Sequence, residues 1–417
     1  MTAPRIDERE GLEEFSSFLG LRNNVNAEAF ERGDLVTALN VDIDDANKIR
    51  RRRGHSAVLT AAVDRSLWAE GAMCLGVGSN ALKRIHPNYT ATILRTGLSA
   101  DRPLAYAAVG GRIYYSNGVE QGCVEANGTH RTWGLTVPTI PLAVATGGTL
   151  RAGKYQYAVT YLRNDGQESG TRLAGTIELT DTSGISLSSI SVSTDSTVIT
   201  NAIYTTPVNG ETLFLTGTIS NSTPTYIIRE TRTGANPLRT QFLSPPPAGD
   251  YLAYWKGWML VGRGTYLYVS EPYAPELFDL RKSYPFLDNL TMLAATGTRS
   301  EGVWVGTENQ VIWLGGSSPE TWQPDTIADY GVIPGALWVA DGELLGDKAH
   351  AGTPVAFFAT TRGLCAGLSD GTFHNLTQDR YAYPSMDRGA CVVRRHQGMA
   401  QMLATLQGTE VAGNVIS

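Results

Sequence analysis

The residues able to do chemistry in this 417-residue chain are scattered, and their spacing limits what each can do. The histidines His55, His86, His130, His350, His374 and His396 stand alone, with no H-x-H or H-E-x-x-H pair to put two imidazoles on one metal. Asp42, Asp44 and Asn47 have the start of a calcium loop. Ala46 replaces the fifth-position ligand, however, no glycine holds the sixth position, and Arg53 stands at the twelfth, where a bidentate Glu is needed. Glu271, Glu301, Glu308, Asp325 and Asp329 are the candidates for a glycosidase carboxylate pair, although the ordinary reading of each is a solvated turn. There is no G-x-S-x-G elbow, and the glycine-rich turn Gly76 to Asn80 lies between strands, without a following helix to cradle phosphate. The expectation is a protein that is not an enzyme and uses neither cofactor nor metal.

One cluster is dense. Lys48, Arg50, Arg51, Arg52 and Arg53 form a basic run, and Arg394 and Arg395 would lie beside it if the first and last strands shared a sheet. These seven are the interface candidates. In an extended strand alternate arginines face one side and could track a phosphate backbone; the plainer reading is a solvated or inter-subunit salt-bridging arm. A formal net charge of −6 argues against a general nucleic-acid surface. Tyr251, Tyr254, Trp255, Trp258, Tyr266 and Tyr268 suggest a sugar-stacking platform, but alternation along a strand sends about half of them into a core. Ser369 to Phe373 resembles a compressed Asp-box turn of sialidase-type propellers, without that box's intervening residues, and such boxes are structural turns.

The elements that must position these residues read as strands. From Asp250 to Gly316, short runs of aromatic and β-branched residues are broken by glycine or asparagine turns, the signature of antiparallel hairpins. Looser versions start at Gly71, Leu104 and Ala356. Four or more such units predict an all-β fold, a β-propeller of about five or six blades. The rhythm breaks between residues 137 and 247, where some seven short strands rich in Ser and Thr precede Pro245-Pro246-Pro247. That stretch predicts an inserted immunoglobulin- or fibronectin-III-like sandwich, with the prolines as a stiff exit. The domain reading is an N-terminal arm over 1–19, propeller over 20–136, sandwich over 137–247 and propeller again over 248–417. Residues Asp7 to Leu19 are the best helix candidate, and Leu35 to Val41 or Ser56 to Leu59 are expected to close the last sheet against Met399 to Leu406. Cys74, Cys123, Cys365 and Cys391 read as small buried hydrophobes of a reducing compartment rather than disulfides. No signal-peptide core and no run near the roughly 18 apolar residues of a membrane span is present, so the expectation is a protein made and kept soluble in a cytoplasm.

Three phrases also carry a resemblance. FLGLRNNVNAEAFERGDLVTALNVDIDDANKIRRRRGHSAV (Phe18 to Val58), AGKYQYAVTYLRNDGQESG (Ala152 to Gly170) and LVGRGTYLYVSEPYAPELFDL (Leu260 to Leu280) resemble tail-hub or nozzle proteins of short-tailed bacteriophages. The likeness covers most of the chain and rests on structural motifs. It implies a virion protein that assembles with itself as a ring, commonly a hexamer, below the portal and adaptor. Such a ring continues the DNA channel without sequence-specific binding, offers attachment to fibres or spikes, and has no enzymatic activity. The alternative is a glycan-binding or glycan-cleaving propeller.

Overall fold

The computed structural model describes residues 19–31, 33–37, 41–43, 49–51, 54, 63–234, 236–297, 300–345, 350–377, 380–381, 383, 386–396 and 399–408. They fall into two compact units, one made of residues 1–57 and 299–417, the other of residues 58–298. Among the described residues the regular structure is all strand apart from three short 3-10 turns.

The first unit opens with β1 (Gly20–Leu21) and β2 (Asp34–Leu35), a parallel pair, and continues with the hairpin β3 (Val41–Ile43) and β4 (Ile49–Arg51). The Asp34 carboxylate fixes this segment. It accepts from Arg22 at 3.0 Å, from Arg380 at 3.0 Å and from the Glu31 amide at 2.9 Å.

In the second unit, β5 (Arg65–Glu70), β6 (Met73–Gly78), β7 (Ala81–Ile85) and β8 (Ala91–Arg95) form one antiparallel meander. A second consists of β9 (Ala105–Val109), β10 (Arg112–Ser116), β11 (Gln121–Val124) and β12 (His130–Arg131). Gly110 and Gly111, both at positive φ (58° and 81°), supply the two-residue turn between β9 and β10. The decisive packing is at Tyr114 and Tyr115, neighbours that point to opposite faces of β10 and are 1% and 0% exposed. Tyr115 joins Ile113 and Val124 against Leu75, Val77 and Leu82 of the first meander. Tyr114 joins Ala107 and Cys123 against Leu252, Met259, Val261 and Phe278 of a third. A four-stranded antiparallel meander covered on both faces by other meanders has the layout of a propeller blade, which explains why β10 carries apolar side chains at consecutive positions, Ile113, Tyr114 and Tyr115, instead of alternating.

Between the second and third blades the chain leaves to build seven strands: β13 (Leu142–Leu150), β14 (Gly153–Arg163), β15 (Gly175–Leu179), β16 (Ser183–Ser188), β17 (Val198–Thr205), β18 (Phe214–Ser220) and β19 (Tyr226–Ile228). They make two sheets, β13-β16-β19 and β15-β14-β17-β18. Tyr155, Tyr157, Val159, Leu179 and Ile203 of one sheet pack on Ile185, Leu187 and Ile228 of the other, so this is a β-sandwich. Its strand order differs from the immunoglobulin constant arrangement of A-B-E-D over C-F-G. The first strand pairs with the fourth rather than the second, and the last strand takes the far edge of that sheet.

The third blade is β20 (Tyr251–Trp255), β21 (Trp258–Arg263), β22 (Tyr266–Glu271) and β23 (Ala274–Pro285), and the fully buried β24 (Leu290–Ala294) ends the unit. The second and third blades meet directly at the root of the sandwich. Gly118 N donates to Gly249 O at 2.8 Å, and Trp133 Nε1 donates to Pro275 O at 2.8 Å. Gly134, at φ +74°, is needed there, since a Cβ would sit 2.8 Å from Pro246 Cδ and 3.0 Å from Glu276 O. The proline exit is thereby clamped, with Gln121 Nε2 donating to Pro246 O at 2.9 Å.

Back in the first unit, β25 (Gly302–Thr307), β26 (Val311–Gly315) and β27 (Gln323–Ala328) run antiparallel. A four-stranded blade follows: β28 (Val332–Asp341), β29 (Pro354–Thr360), β30 (Gly363–Gly367) and β31 (Phe373–Asn375). Buried Trp304 links the two, 4.8 Å from Trp313 and 6.5 Å from Phe358, its indole N–H donating to Leu368 O at 2.9 Å. The hairpin β32 (Arg388–His396) and β33 (Met399–Gln407) packs Val393 and Met402 on Phe357 and Trp338.

Of the two segments expected to close the last sheet, the described ends of Leu35 to Val41 pair elsewhere. Leu35 pairs with Leu21 and Val41 with Arg51, while β33 takes its partner locally from β32, a pairing that costs less loop entropy. Ser56 to Leu59 and the helix expected over Asp7 to Leu19, Leu19 excepted, lie outside the described residues.

Candidate interaction surfaces and a charged joint

The expected interface residues fall on two separate hairpins. Arg50 and Arg51 sit on β4 opposite Asp42 and Val41; both are exposed and, being consecutive, point to opposite faces. Lys48, Arg52 and Arg53 lie outside the described residues. Arg394 and Arg395 are exposed on β32, where Arg394 donates to Gln401 Oε1 at 3.1 and 3.2 Å and Arg395 pairs with Glu343 at 3.1 Å. The strand pair β3–β4 and the strand pair β32–β33 are distinct two-stranded sheets, so the basic residues do not share one. Each exposed pair contributes about 0 to 1 kcal/mol at most.

The other candidates resolve into ordinary structure. His86 meets Thr92 Oγ1 at 2.8 Å. His130 meets the Tyr115 hydroxyl at 2.7 Å, and burial, assisted by nearby Arg95, pushes its pKa down to about 4. His350 is half-buried, His374 is exposed, and the His55 and His396 side chains lie outside the description. Among the described residues, no three His, Cys, Asp or Glu side chains gather as metal ligands. Glu301, Glu308, Asp325 and Asp329 are exposed at strand ends and on β27, and Glu271 is half-buried at the end of β22. Asp370 accepts the Thr372 amide at 2.9 Å, which holds its pKa low, as in a structural turn. All four cysteines are free; burial pushes the Cys123 and Cys391 thiols up to about 12, so neither is a ready nucleophile.

Of the aromatic run, Trp255 is fully buried and stacks on half-buried Trp258 at 5.7 Å, with the Lys256 ammonium 5.0 Å above the Trp255 ring. Tyr266 is exposed, and Tyr251, Tyr254 and Tyr268 are half-buried. Alternation thus divides the run between packing and surface.

Sequence reasoning missed a charged joint at the root of the sandwich. Asp165, in the turn after β14, receives Arg131 Nη1 at 2.8 Å and Arg112 Nη2 at 2.9 Å from the second blade. The same arginines hold Glu125 at 2.6 and 3.0 Å and approach Glu276 of the third blade at 3.9 and 3.5 Å. Tyr114 donates to Glu276 Oε1 at 2.6 Å. Burial alone would raise Asp165, but the hydrogen bonds from Arg131 and the Gln167 amide and the charges of both arginines hold it at about 2. Beside it the fully buried Arg163 guanidinium donates to Asp195 Oδ2 at 2.8 Å and to Thr132 O at 3.1 Å, while Thr132 Oγ1 donates to Asp195 at 2.6 Å. The one local signal was the turn Asn164-Asp165-Gly166; the partners sit 34 and 53 residues from Asp165.

No family model matches the chain, and no curated protein does. Among solved structures it is similar to the extracellular domain of the hybrid two-component system BT4673 from B. thetaiotaomicron (12% identity, TM-score 0.30), covering 76% of this chain and 34% of that one. The chain therefore spans about a third of the length of that extracellular domain. It is also similar to BBS1N in complex with ARL6DN (9% identity, 83% and 90% coverage, TM-score 0.32) and to Citrobacter koseri AztD (12% identity, 88% and 94% coverage, TM-score 0.26). No helix among the described residues is long and apolar enough to cross a membrane.

Proposed function

We propose that this chain is a structural subunit of a short bacteriophage tail, a hub or nozzle ring carried in the virion. The observation that supports it most is the combination of blades covered on both faces with a sandwich extruded between two of them, a stiff subunit suited to packing about a cyclic axis. Two of the three phrases that resemble nozzle proteins lie on these parts: Ala152 to Gly170 is a central strand of the sandwich and its turn, and Leu260 to Leu280 spans β21 to β23. In this reading the ring, a hexamer by resemblance, continues the channel below portal and adaptor. Its lumen is neutral or acidic, so that DNA slides past without the counterion release that fixes proteins to phosphate. The exposed basic hairpins face a neighbouring subunit or ring, and the sandwich faces outward toward fibres or spikes. Electron microscopy of the purified protein, alone and beside virions, tests this. Rings matching a tail layer are expected; a protein that stays monomeric by light scattering, even with its neighbouring tail protein, would overturn it.

A further inference from the structure

We infer that the sandwich is a fixed outrigger: two carboxylates, Asp165 and Asp195, lock its direction relative to the second and third blades, and it does not swing on its linkers. Two linkers alone would allow it to rock about the line joining them. The contacts at its root remove that freedom. Asp165 is held by Arg112 and Arg131 of the second blade at 2.9 and 2.8 Å. At a separate point, the sandwich's own Arg163 and Asp195 grip Thr132 at the end of β12, with Thr132 Oγ1 donating to Asp195 at 2.6 Å and Arg163 donating to Thr132 O at 3.1 Å.

A third contact is apolar: Leu135 of the outgoing linker is buried against Tyr161 and Val198 of the sandwich. The returning linker is held too, by the paired backbone bonds between Ser244 and Phe278 at 2.8 and 2.9 Å. Non-collinear anchors leave a rigid body no axis to turn about. Arginine suits the task, because its planar fork reaches two acceptors with a defined direction. Since Arg112 and Arg131 also approach Glu276, the lock closes over the seam between the second and third blades. The inference stands whether or not the chain belongs to a tail.

The test is a distance distribution by pulsed electron spin resonance, between labels at Ser222→Cys on the sandwich and Thr96→Cys on the first blade, both exposed positions, with Cys74 and Cys391 changed to serine. The otherwise unchanged protein should give one narrow distribution. Asp165→Asn with Asp195→Asn should broaden it at least twofold. Arg112→Gln with Thr132→Val should do the same while leaving every sandwich residue in place, which separates release of the lock from unfolding of the sandwich. A broad distribution before any lock residue is changed overturns the inference, as does an unaltered width in the blade-side variant.

Discussion

Lowering the pH should weaken the second unit through one group, His130. Its imidazole is half-buried on β12, 2.7 Å from the Tyr115 hydroxyl, and burial followed by the charge of Arg95 pushes its pKa from the ordinary 6.5 to about 4. The folded state therefore holds His130 neutral where the unfolded chain would protonate it. The stabilisation is fully present above pH 6.5, falls as the pH drops below that value, and levels off below about 4. Integrated from pH 7.5 to 5, one such group fully shielded from water would cost about 2 kcal/mol; with solvent screening the charge on this half-buried ring, a loss of about 1 kcal/mol is expected. On the acid side, Asp165 and Asp195, whose pKa values are also depressed, lose their contribution only below their ordinary value of 3.8 and Glu120, likewise held low, below 4.5, while Asp250, pushed up by burial, acts in the opposite sense. These carboxyls titrate equally in a variant without the imidazole, so the difference between the two proteins isolates it. Urea unfolding at half-unit pH steps, followed by the fluorescence of Trp133 in the same unit, should show this loss. His130→Gln, which keeps a hydrogen-bonding group beside Tyr115 but cannot titrate, should lose correspondingly less over the same range. Parallel pH profiles for the two proteins would refute the argument that the fold holds this imidazole neutral.

Two substitutions test the packing, one in each unit. Tyr114→Phe removes the 2.6 Å donor to the buried Glu276 carboxylate while keeping the ring against Trp133 at 5.2 Å. It should cost about 1.5 to 3 kcal/mol, the range for a hydrogen bond to a charged group, read as a lower urea midpoint for the second unit. In the first unit, Phe358→Ala empties a fully buried site 6.5 Å from Trp304 and 6.2 Å from Phe373. A loss of about 3 to 5 kcal/mol is expected, seen by calorimetry as a lower melting temperature for that unit's transition.

The fold was legible where local signals were strong. Glycine turns such as Gly110-Gly111 and Lys256-Gly257 dictate two-residue hairpins, and the alternation Tyr155, Tyr157, Val159, Tyr161 on β14 marks one face of a sandwich sheet. The sandwich's strand order was not legible, because pairing β13 with β16 depends on which face of each strand finds apolar partners across some 40 residues. The charged joint was invisible for a related reason. Arg112, Glu125, Arg131 and Asp165 each look like solvated hairpin charges, and only the return of the sandwich onto the second blade brings them together. The basic run was legible as a cluster in sequence, but strand alternation sends Arg50 and Arg51 apart, and the C-terminal arginines sit on a different sheet.

Apolar burial and charge divide the work within the second unit. The seams between its blades are lined by Leu75, Leu82, Tyr115, Val261 and Phe278, and such contacts supply most of the free energy because they scale with the area removed from water. They are indifferent to direction, so they cannot alone decide how a domain attached by two linkers is aimed. The chain is sparing with charge, at 18% of residues, yet it places Arg112, Arg131, Arg163, Glu125, Asp165, Asp195 and Glu276 at that one junction. Partly buried ion pairs add little net stability over apolar packing, but the geometry they demand is narrow. Spending so many of them where the sandwich meets the blades is the arrangement expected if its direction matters more to this protein than the strength of its attachment.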